Sequence, residues 1–287
     1  MTVEVSDSQV SVTADLRRPE IRETTLLHQS LAIVRRNLIH IKRMPEMLMD
    51  VTIQPVMFVL LFAYVFGGSI TVKGSAAGYR EWLMGGIMGQ TIAFASAVVA
   101  IGLTADLGNG IVDRMRSLPI NSAAVLVGRS LSSLIHSSIG VLVMSVTGLA
   151  VGWRIRGGVG DALLAYGLLL LWGFAMIWLG ILVGSSLRSV EAVNGVMFTT
   201  LFPITFLANT FAPTERMTPW LRTIAEWNPI SSLVQAVREL WGNAGPAAAD
   251  AALPLHHPVL TTILWTVGIT LVTAPLSVRA FRRRTQQ

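Results

Sequence analysis

The chain lacks cysteine altogether, so neither a disulfide-stapled secreted scaffold nor a thiolate metal site is open to it. Lysine is nearly absent, with only Lys42 and Lys73 in 287 residues. Neither lies in a G-x-x-x-x-G-K-[ST] run, the backbone cradle that P-loop ATPases wrap around nucleotide phosphates, so ATP has no recognisable receiver in this sequence. The five histidines (His28, His40, His136, His256 and His257) show no metal-ligand spacing, and no G-x-S-x-G nucleophile elbow occurs. An enzymatic function and a bound cofactor are therefore not expected of this chain. Charge as a whole is scarce, at 13% of residues where a soluble domain carries about 25%. A surface so poor in charge cannot all face water.

What is present is apolar. Hydrophobic residues make up 52% of the chain and the mean hydropathy is +0.60, which excludes intrinsic disorder and points to an integral membrane protein. The formal charge is +6, and 20 of the 22 basic residues are arginine. They are spread between apolar runs and accompany no DNA- or RNA-binding motif, so membrane lipids, and not nucleic acid, are the expected partners of this charge.

A membrane-spanning helix needs about 20 mostly apolar residues. Six runs meet that need: 51–70, 82–103, 130–151, 162–186, 193–211 and 259–278. With both termini in the cytoplasm, inside segments carry fifteen Lys or Arg and outside segments seven, the asymmetry that the positive-inside rule requires. The expectation is an all-α integral membrane protein of six transmembrane helices over 51–278. It has a flexible cytoplasmic tail at 1–25, an interfacial amphipathic helix within 26–50 and a basic cytoplasmic tail at 279–287.

Three segments outside the spans carry a pattern. Over 26–43, Leu27, Leu31, Val34, Leu38 and Ile41 share a helical side, while Arg35, Arg36, His40, Lys42 and Arg43 occupy the rest. That suits a helix lying in the cytoplasmic interface, or one packed on a partner. The loop 104–119 ends in a short helix-prone stretch that mixes Ile111, Met115 and Leu118 with Asp113, Arg114 and Arg116, and Pro119 stops it. Such a stretch is either an ordinary connector or a docking element for another protein. In 212–258, Thr218-Pro219 and Asn228-Pro229 each read as an N-cap followed by proline at the first helical position. They predict two short amphipathic, re-entrant helices forming a partly inserted outer lid, with Gly242 stopping the second and the tryptophans at the bilayer interface.

The spans contain no interior carboxylate and only one interior histidine, His136, so a proton-driven cycle has no evident carrier. The serines around His136 suit either helix packing or a substrate path, and Gly85 and Gly89 suggest a close helix contact. Gln54, Tyr64, Phe94, Asn194, Thr199 and Asn209, with His136, form a mixed aromatic and polar set suited to a greasy ligand bearing a few polar groups.

The run Arg36-Asn37-Leu38, Arg43-Met44-Pro45 and then Gln54-Pro55-Val56-Met57-Phe58 through Phe66-Gly67-Gly68 resembles the start of ABC-2 type permeases, nearest their daunorubicin/doxorubicin-resistance branch. Gly110-Ile111-Val112-Asp113-Arg114-Met115-Arg116-Ser117-Leu118-Pro119 is similar to the family's segment after the second span, and Asn228-Pro229 fits its outer helix. The resemblance covers about residues 30 to 280. It implies a bacterial cytoplasmic-membrane permease that pairs with a second permease copy and with two copies of a separate ATP-binding subunit, which holds the ATP and Mg²⁺. It also implies that helix 26–43, with Arg35 and Arg36, and segment 104–119, with Ile111, Asp113, Arg114, Met115, Arg116 and Leu118, receive that subunit's motion. The cargo it implies is a hydrophobic drug or a lipid-like natural product, moved outward. A proton-driven drug carrier and a non-transporting membrane anchor are the alternatives.

Overall fold

A computed structural model describes residue 34 and residues 49–65, 78–109 and 122–285. The tail 1–25, Arg35, Arg36 and the rest of the interfacial helix apart from Val34 lie outside these, as do Ile111, Asp113, Arg114, Met115, Arg116 and Leu118. Among the described residues the regular structure is helical throughout, without a strand. In chain order the helices are α1 (Met49–Val65), α2 (Tyr79–Gly108), α3 (Ser122–Val151), α4 (Val159–Ser186), α5 (Val190–Phe206), α6 (Pro219–Glu226), α7 (Pro229–Trp241), α8 (Leu253–His256) and α9 (Pro258–Thr285). A single 3₁₀ turn, Thr214–Arg216, precedes α6.

Four helices, α2, α3, α4 and α9, are long and apolar enough to cross a membrane. Helices α1 and α5 are apolar but only 17 residues each, or about 26 Å at 1.5 Å per residue. The predicted fifth span to residue 211 is thus corrected to a helix ending at Phe206. Its cause is visible in the turn that follows. The carbonyls of Asn209 and Thr210 turn to the Arg238 guanidinium, at 2.9 and 3.0 Å, and so are not spent on a helical ladder.

Helix α2 runs through the centre of the bundle and is buried along most of its length. Helix α4 lies against it with almost no side chain between: a methyl group on Gly180 would stand 2.2 Å from the Ser96 carbonyl oxygen, and one on Gly184 2.5 Å from that of Ala100. Four residues apart, these glycines share one helical face, the small-residue spacing that lets apolar helices touch backbone to backbone. The Thr104 hydroxyl then donates to the Gly184 carbonyl at 2.9 Å. Helix α9 closes the far side of α4, with Ser277 donating to the Trp178 carbonyl at 3.1 Å and Arg284 to those of Gly184 (2.8 Å) and Leu187.

The sequence expects α7 to be part of a partly inserted outer lid, and in the structure this helix is packed inside the bundle. Helix α7 is buried between α2, α4 and α9, with Leu233, Val234, Ala236, Val237 and Trp241 inaccessible. Its boundaries follow the sequence signals. The Asn228 side chain accepts from the Ile230 amide at 2.9 Å, Pro229 opens the helix, and Gly242 ends it at φ 69°, where the Asn243 amide reaches the Arg238 carbonyl at 2.8 Å. Burial on all sides is possible because Ser231, Ser232 and Ala236 let neighbours approach. Trp241 packs edge-on against Trp153, 4.9 Å between ring centres, and is buried.

Candidate substrate groove and the buried arginine beside it

Between α1, α2 and α5 lies an apolar groove of about 190 Å³. Five phenylalanines line it, Phe58 from α1, Phe94 from α2, and Phe198, Phe202 and Phe206 from α5. Phe94 and Phe198 stand 5.8 Å apart between ring centres and Phe202 and Phe206 4.2 Å. Two amides, Gln54 and Gln90, are the main polar groups in the wall. Towards the α7 end of the bundle, Phe62 stacks on Phe211 at 4.5 Å and Phe206 meets Phe211 at 4.9 Å, so aromatic rings close the groove there. An apolar groove with a few amides in its wall can hold a hydrophobic molecule by area and orient it by one or two hydrogen bonds.

Behind the groove sits Arg238, fully buried with no carboxylate on it. Its Nε donates to the Trp82 carbonyl at 2.7 Å, and Nη1 and Nη2 donate to those of Asn209 and Thr210. Its Cζ lies 3.3 Å from the centre of the Trp82 ring. Room for the guanidinium comes from Gly85 and Gly86 on α2, where a methyl group would meet Arg238 Cγ at 3.0 Å and the Thr210 carbonyl oxygen at 2.1 Å. One turn on, Gly89 leaves space for Val234. The glycine pair read from the sequence as a helix contact is thus the α2 side of a contact with α7. The charge is held by carbonyl dipoles and an aromatic face, and it ties α2, α7 and the chain after α5 into one piece.

A second buried charge lies one turn away. Glu81, 1% exposed, takes a bidentate pair from Arg156 (2.8 and 3.0 Å) and a longer hydrogen bond from Asn243 at 3.4 Å. The hydrogen bond to Glu81 raises the Arg156 pKa above its ordinary value. Asn243 also accepts from Trp153 Nε1 at 2.7 Å, so the α3–α4 connection is fastened to the end of α7. At the opposite end of the bundle, Asp106 pairs with Arg129 and links the last turns of α2 to the first turns of α3. This pair brackets segment 110–121.

A second cavity, about 300 Å³ and more polar, opens beside α6 between Trp82, Asn209, Glu226 and Leu255. Its polar walls serve each other. Glu226 accepts from Arg222 (2.6 Å), Thr214 (3.2 Å) and the Ala252 amide (2.7 Å), and Arg222 also holds Asp250 at 2.8 Å. Among the described residues no cluster of three His, Asp or Glu stands close enough together to hold a metal ion.

The predicted cavity residues separate in space. Gln54 and Phe94 line the groove. Asn209 stands at the Arg238 node, where it lines the polar cavity instead. Tyr64 is exposed at the end of α1 with Arg80 over its ring at 5.0 Å, His136 is half-buried on α3, and Asn194 and Thr199 are exposed on α5. The serines beside His136 hydrogen-bond to their own helix: Ser130 to Val127, Ser132 to Gly128 and Ser138 to Leu134. Sequence reasoning missed Glu81, Gln90, Arg238 and the α5 phenylalanines. A signal for Arg238 existed, since Val234, Arg238 and Trp241 fall on one helical stripe and put a charge inside an apolar face.

Comparison with known proteins agrees with this architecture. Residues 28–240 match the family model described as ABC-2 type transporter. The daunorubicin resistance ABC transporter permease protein DrrB1 of Streptomyces coeruleorubidus is 28% identical over 284 residues, covering 99% of this chain and 95% of the relative. The probable doxorubicin resistance ABC transporter permease protein DrrC of Mycobacterium tuberculosis is 26% identical over 230 residues, 80% of this chain and 79% of its own length. A putative transport permease, ycf38, of Porphyra purpurea is 24% identical over 78% of both chains. With four helices long enough to cross a bilayer, two shorter apolar helices and a family match over most of its length, this chain is a multi-pass membrane protein that belongs to the ABC-2 type transporter family.

Proposed function

We propose that the chain is the membrane-spanning permease subunit of an ATP-binding-cassette exporter, moving a hydrophobic drug or lipid-like natural product outward across a bacterial cytoplasmic membrane. The observation that carries this reading is the groove, five phenylalanines and two glutamines between α1, α2 and α5, in a chain of this family. The relatives named for daunorubicin and doxorubicin resistance support the same cargo class. In this reading α1 and α5 complete a set of six spans, both termini are cytoplasmic, and α6 and α7 form the outer re-entrant pair. A second copy of the permease covers the exposed faces of α1 and α5.

Energy comes from two copies of a separate subunit that binds ATP with Mg²⁺. That subunit engages the helix carrying Arg35 and Arg36 and the segment carrying Ile111, Asp113, Arg114, Met115, Arg116 and Leu118. The Asp106–Arg129 pair passes a push on that segment to α2 and α3 together. Helix α5 rests mainly on α2, so a tilt of the α2 body changes the width of the groove while α5 lags. Nucleotide shifts the population between inward- and outward-open grooves because the closed ATPase dimer binds one of them better.

The test is a reconstituted complex of permease and ATPase, with ATP hydrolysis and efflux of a hydrophobic dye measured separately. Replacing Asp113 and Arg114 together by Ala leaves basal hydrolysis in place and abolishes efflux. Full transport in that double variant refutes the coupling assignment. Efflux that survives loss of the ATPase but collapses with an uncoupler favours a proton-driven carrier instead.

A further inference from the structure

The polar cavity beside α6 carries two hydrogen-bonding groups that its own network leaves over. Arg222 spends Nε on Glu226 and Nη1 on Asp250, but its buried Nη2 donates to nothing. Asn209, 4% exposed, has no partner for its side-chain Oδ1. Both side chains line the same space. A buried donor or acceptor left unpaired costs free energy, and the neighbouring Glu226 is by contrast satisfied three times over, by Arg222, Thr214 and the Ala252 amide. Two such groups on the wall of one cavity call for an occupant that completes them.

The wall chemistry narrows what the occupant is. Glu215 and Glu226 line the cavity together with Arg222, and Asp250 lies against Arg222. Among the described side chains three carboxylates thus stand against one guanidinium, while Arg238, behind Asn209, is spent on three carbonyls. That balance repels an anion. A metal ion or a simple ammonium suits the carboxylates but brings no acceptor for Arg222 Nη2. A hydroxyl does both, accepting from the guanidinium and donating to Asn209 Oδ1, and it answers either edge of the amide. The rest of the wall is small and apolar, with Pro213, Ala247, Ala248 and Leu255, a surface that the C–H groups of a saturated ring can pack against. At about 300 Å³ the volume stands at the low end for a small-molecule pocket and suits one molecule of monosaccharide size.

We propose that this cavity is a binding site for a small uncharged polyhydroxylated molecule, either a free sugar or polyol or the glycosyl headgroup of a lipid. It shares no lining residue with the aromatic groove, so it does not depend on which cargo that groove takes. Its walls come from the turn after α5, from α6, from α7 and from segment 244–251, and an occupant bridges all four.

A saturation-transfer NMR titration of glucose against the full chain in phosphatidylcholine nanodiscs tests this. Glycoside detergents are avoided, because their headgroups carry the same chemistry. Saturable binding is expected, and neither methylammonium nor sulfate should compete with it. Asn209→Leu should weaken binding about tenfold or more, while the melting temperature without glucose holds or rises, because an unpartnered buried amide is gone. Ala248→Leu crowds the wall, leaves the side-chain hydrogen bonds in place and should weaken binding similarly; it decides the matter should Asn209→Leu fail to fold. No saturable binding to the unaltered protein means that the cavity holds water only and overturns the proposal. Competition by either ion overturns the hydroxyl class, and binding that both variants keep in full puts glucose elsewhere on the protein. Nanodiscs doped with monoglucosyl diacylglycerol separate the two sources: a lipid headgroup in the cavity abolishes the glucose signal, and an unaltered signal assigns the site to a free solute. No ATP, partner subunit or cargo enters the measurement, so its failure and a failure of the export reading are separable.

Discussion

Helix α4 meets α2 backbone to backbone through Gly180 and Gly184, whereas α5 buries Val193, Met197, Leu201 and Thr205 and leaves beside α2 a groove lined by phenylalanine rings. Both contacts join apolar helices to the same central one, but they answer to different physics. In the first there is no atom to spare, and a polar tie, Thr104 donating to the Gly184 carbonyl, locks the register. In the second, rings can re-pack, and one side of α5 stays uncovered. A transporter needs one region that keeps its shape and another that changes width. In the proposed mechanism the glycine contact takes the first part and the ring-lined groove the second.

The largest expected effect lies in the rigid region. Arg238→Ala removes the guanidinium's hydrogen bonds to the carbonyls of Trp82, Asn209 and Thr210 in a dry site and empties the space over Trp82. The expected loss is on the order of 4 kcal/mol in unfolding free energy of the detergent-solubilised protein. Arg238→Lys should recover only part of it, because an ammonium lacks the planar fork that reaches three carbonyls. A loss under about 1 kcal/mol would mean that α7 is held by apolar packing alone.

Next in size is a pair of glycine substitutions that sets the two regions side by side. Gly180→Ala forces a methyl group against the Ser96 carbonyl and should cost about 3 kcal/mol through displaced backbone. Gly195→Ala, in α5, meets nothing within 4 Å and should be neutral or stabilising by up to about 1 kcal/mol through helix propensity. Equal losses at both positions would erase the distinction between the two contacts.

How much of this could be read from the chain divides along the same line. Apolar runs, the proline and asparagine caps of α6 and α7, and the Gly242 stop are local signals, and the helices follow them closely. The end of α5 at Phe206 was not legible, because it depends on Arg238 reaching carbonyls about 30 residues earlier in the chain. The groove was half legible. Gln54 and Phe94 were identified as polar and aromatic residues within spans, but which residues of α5 face them depends on how α5 is rotated against α2. Asn194 and Thr199 carry the chemistry expected of a cavity and sit on the exposed side, while Phe198 and Phe202 look like lipid-facing residues in sequence and line the groove.

The flexible contact should break differently. Phe202→Ala removes a ring that is already half exposed, so stability should change by less than about 1 kcal/mol. Efflux of a hydrophobic dye should nonetheless fall about tenfold at limiting concentration, equivalent to about 1.4 kcal/mol of lost binding. A large stability loss with unaltered transport would turn the groove into ordinary core and leave the cargo site elsewhere.

The smallest effect belongs to a third kind of contact, the solvated tie between α6 and the segment before α9. The hydrogen bond from Arg222 holds the Asp250 carboxyl below its ordinary pKa. A carboxylate whose folded pKa is depressed stabilises fully above its unfolded pKa, and that contribution fades as pH falls through the folded value. Asp250 is exposed and Arg222 keeps Glu226 as a second partner, so solvent screening leaves only a modest gain. Between neutral pH and about pH 3, the melting temperature of the native protein should therefore drop slightly more than that of Asp250→Asn, which has no charge to lose. Identical acid sensitivity in the two proteins would show that the tie to the segment before α9 rests on Glu226 and not on Asp250. Helix α6 would then hang on one buried carboxylate on that side, in contrast to the many-point fastening of α7 beside it.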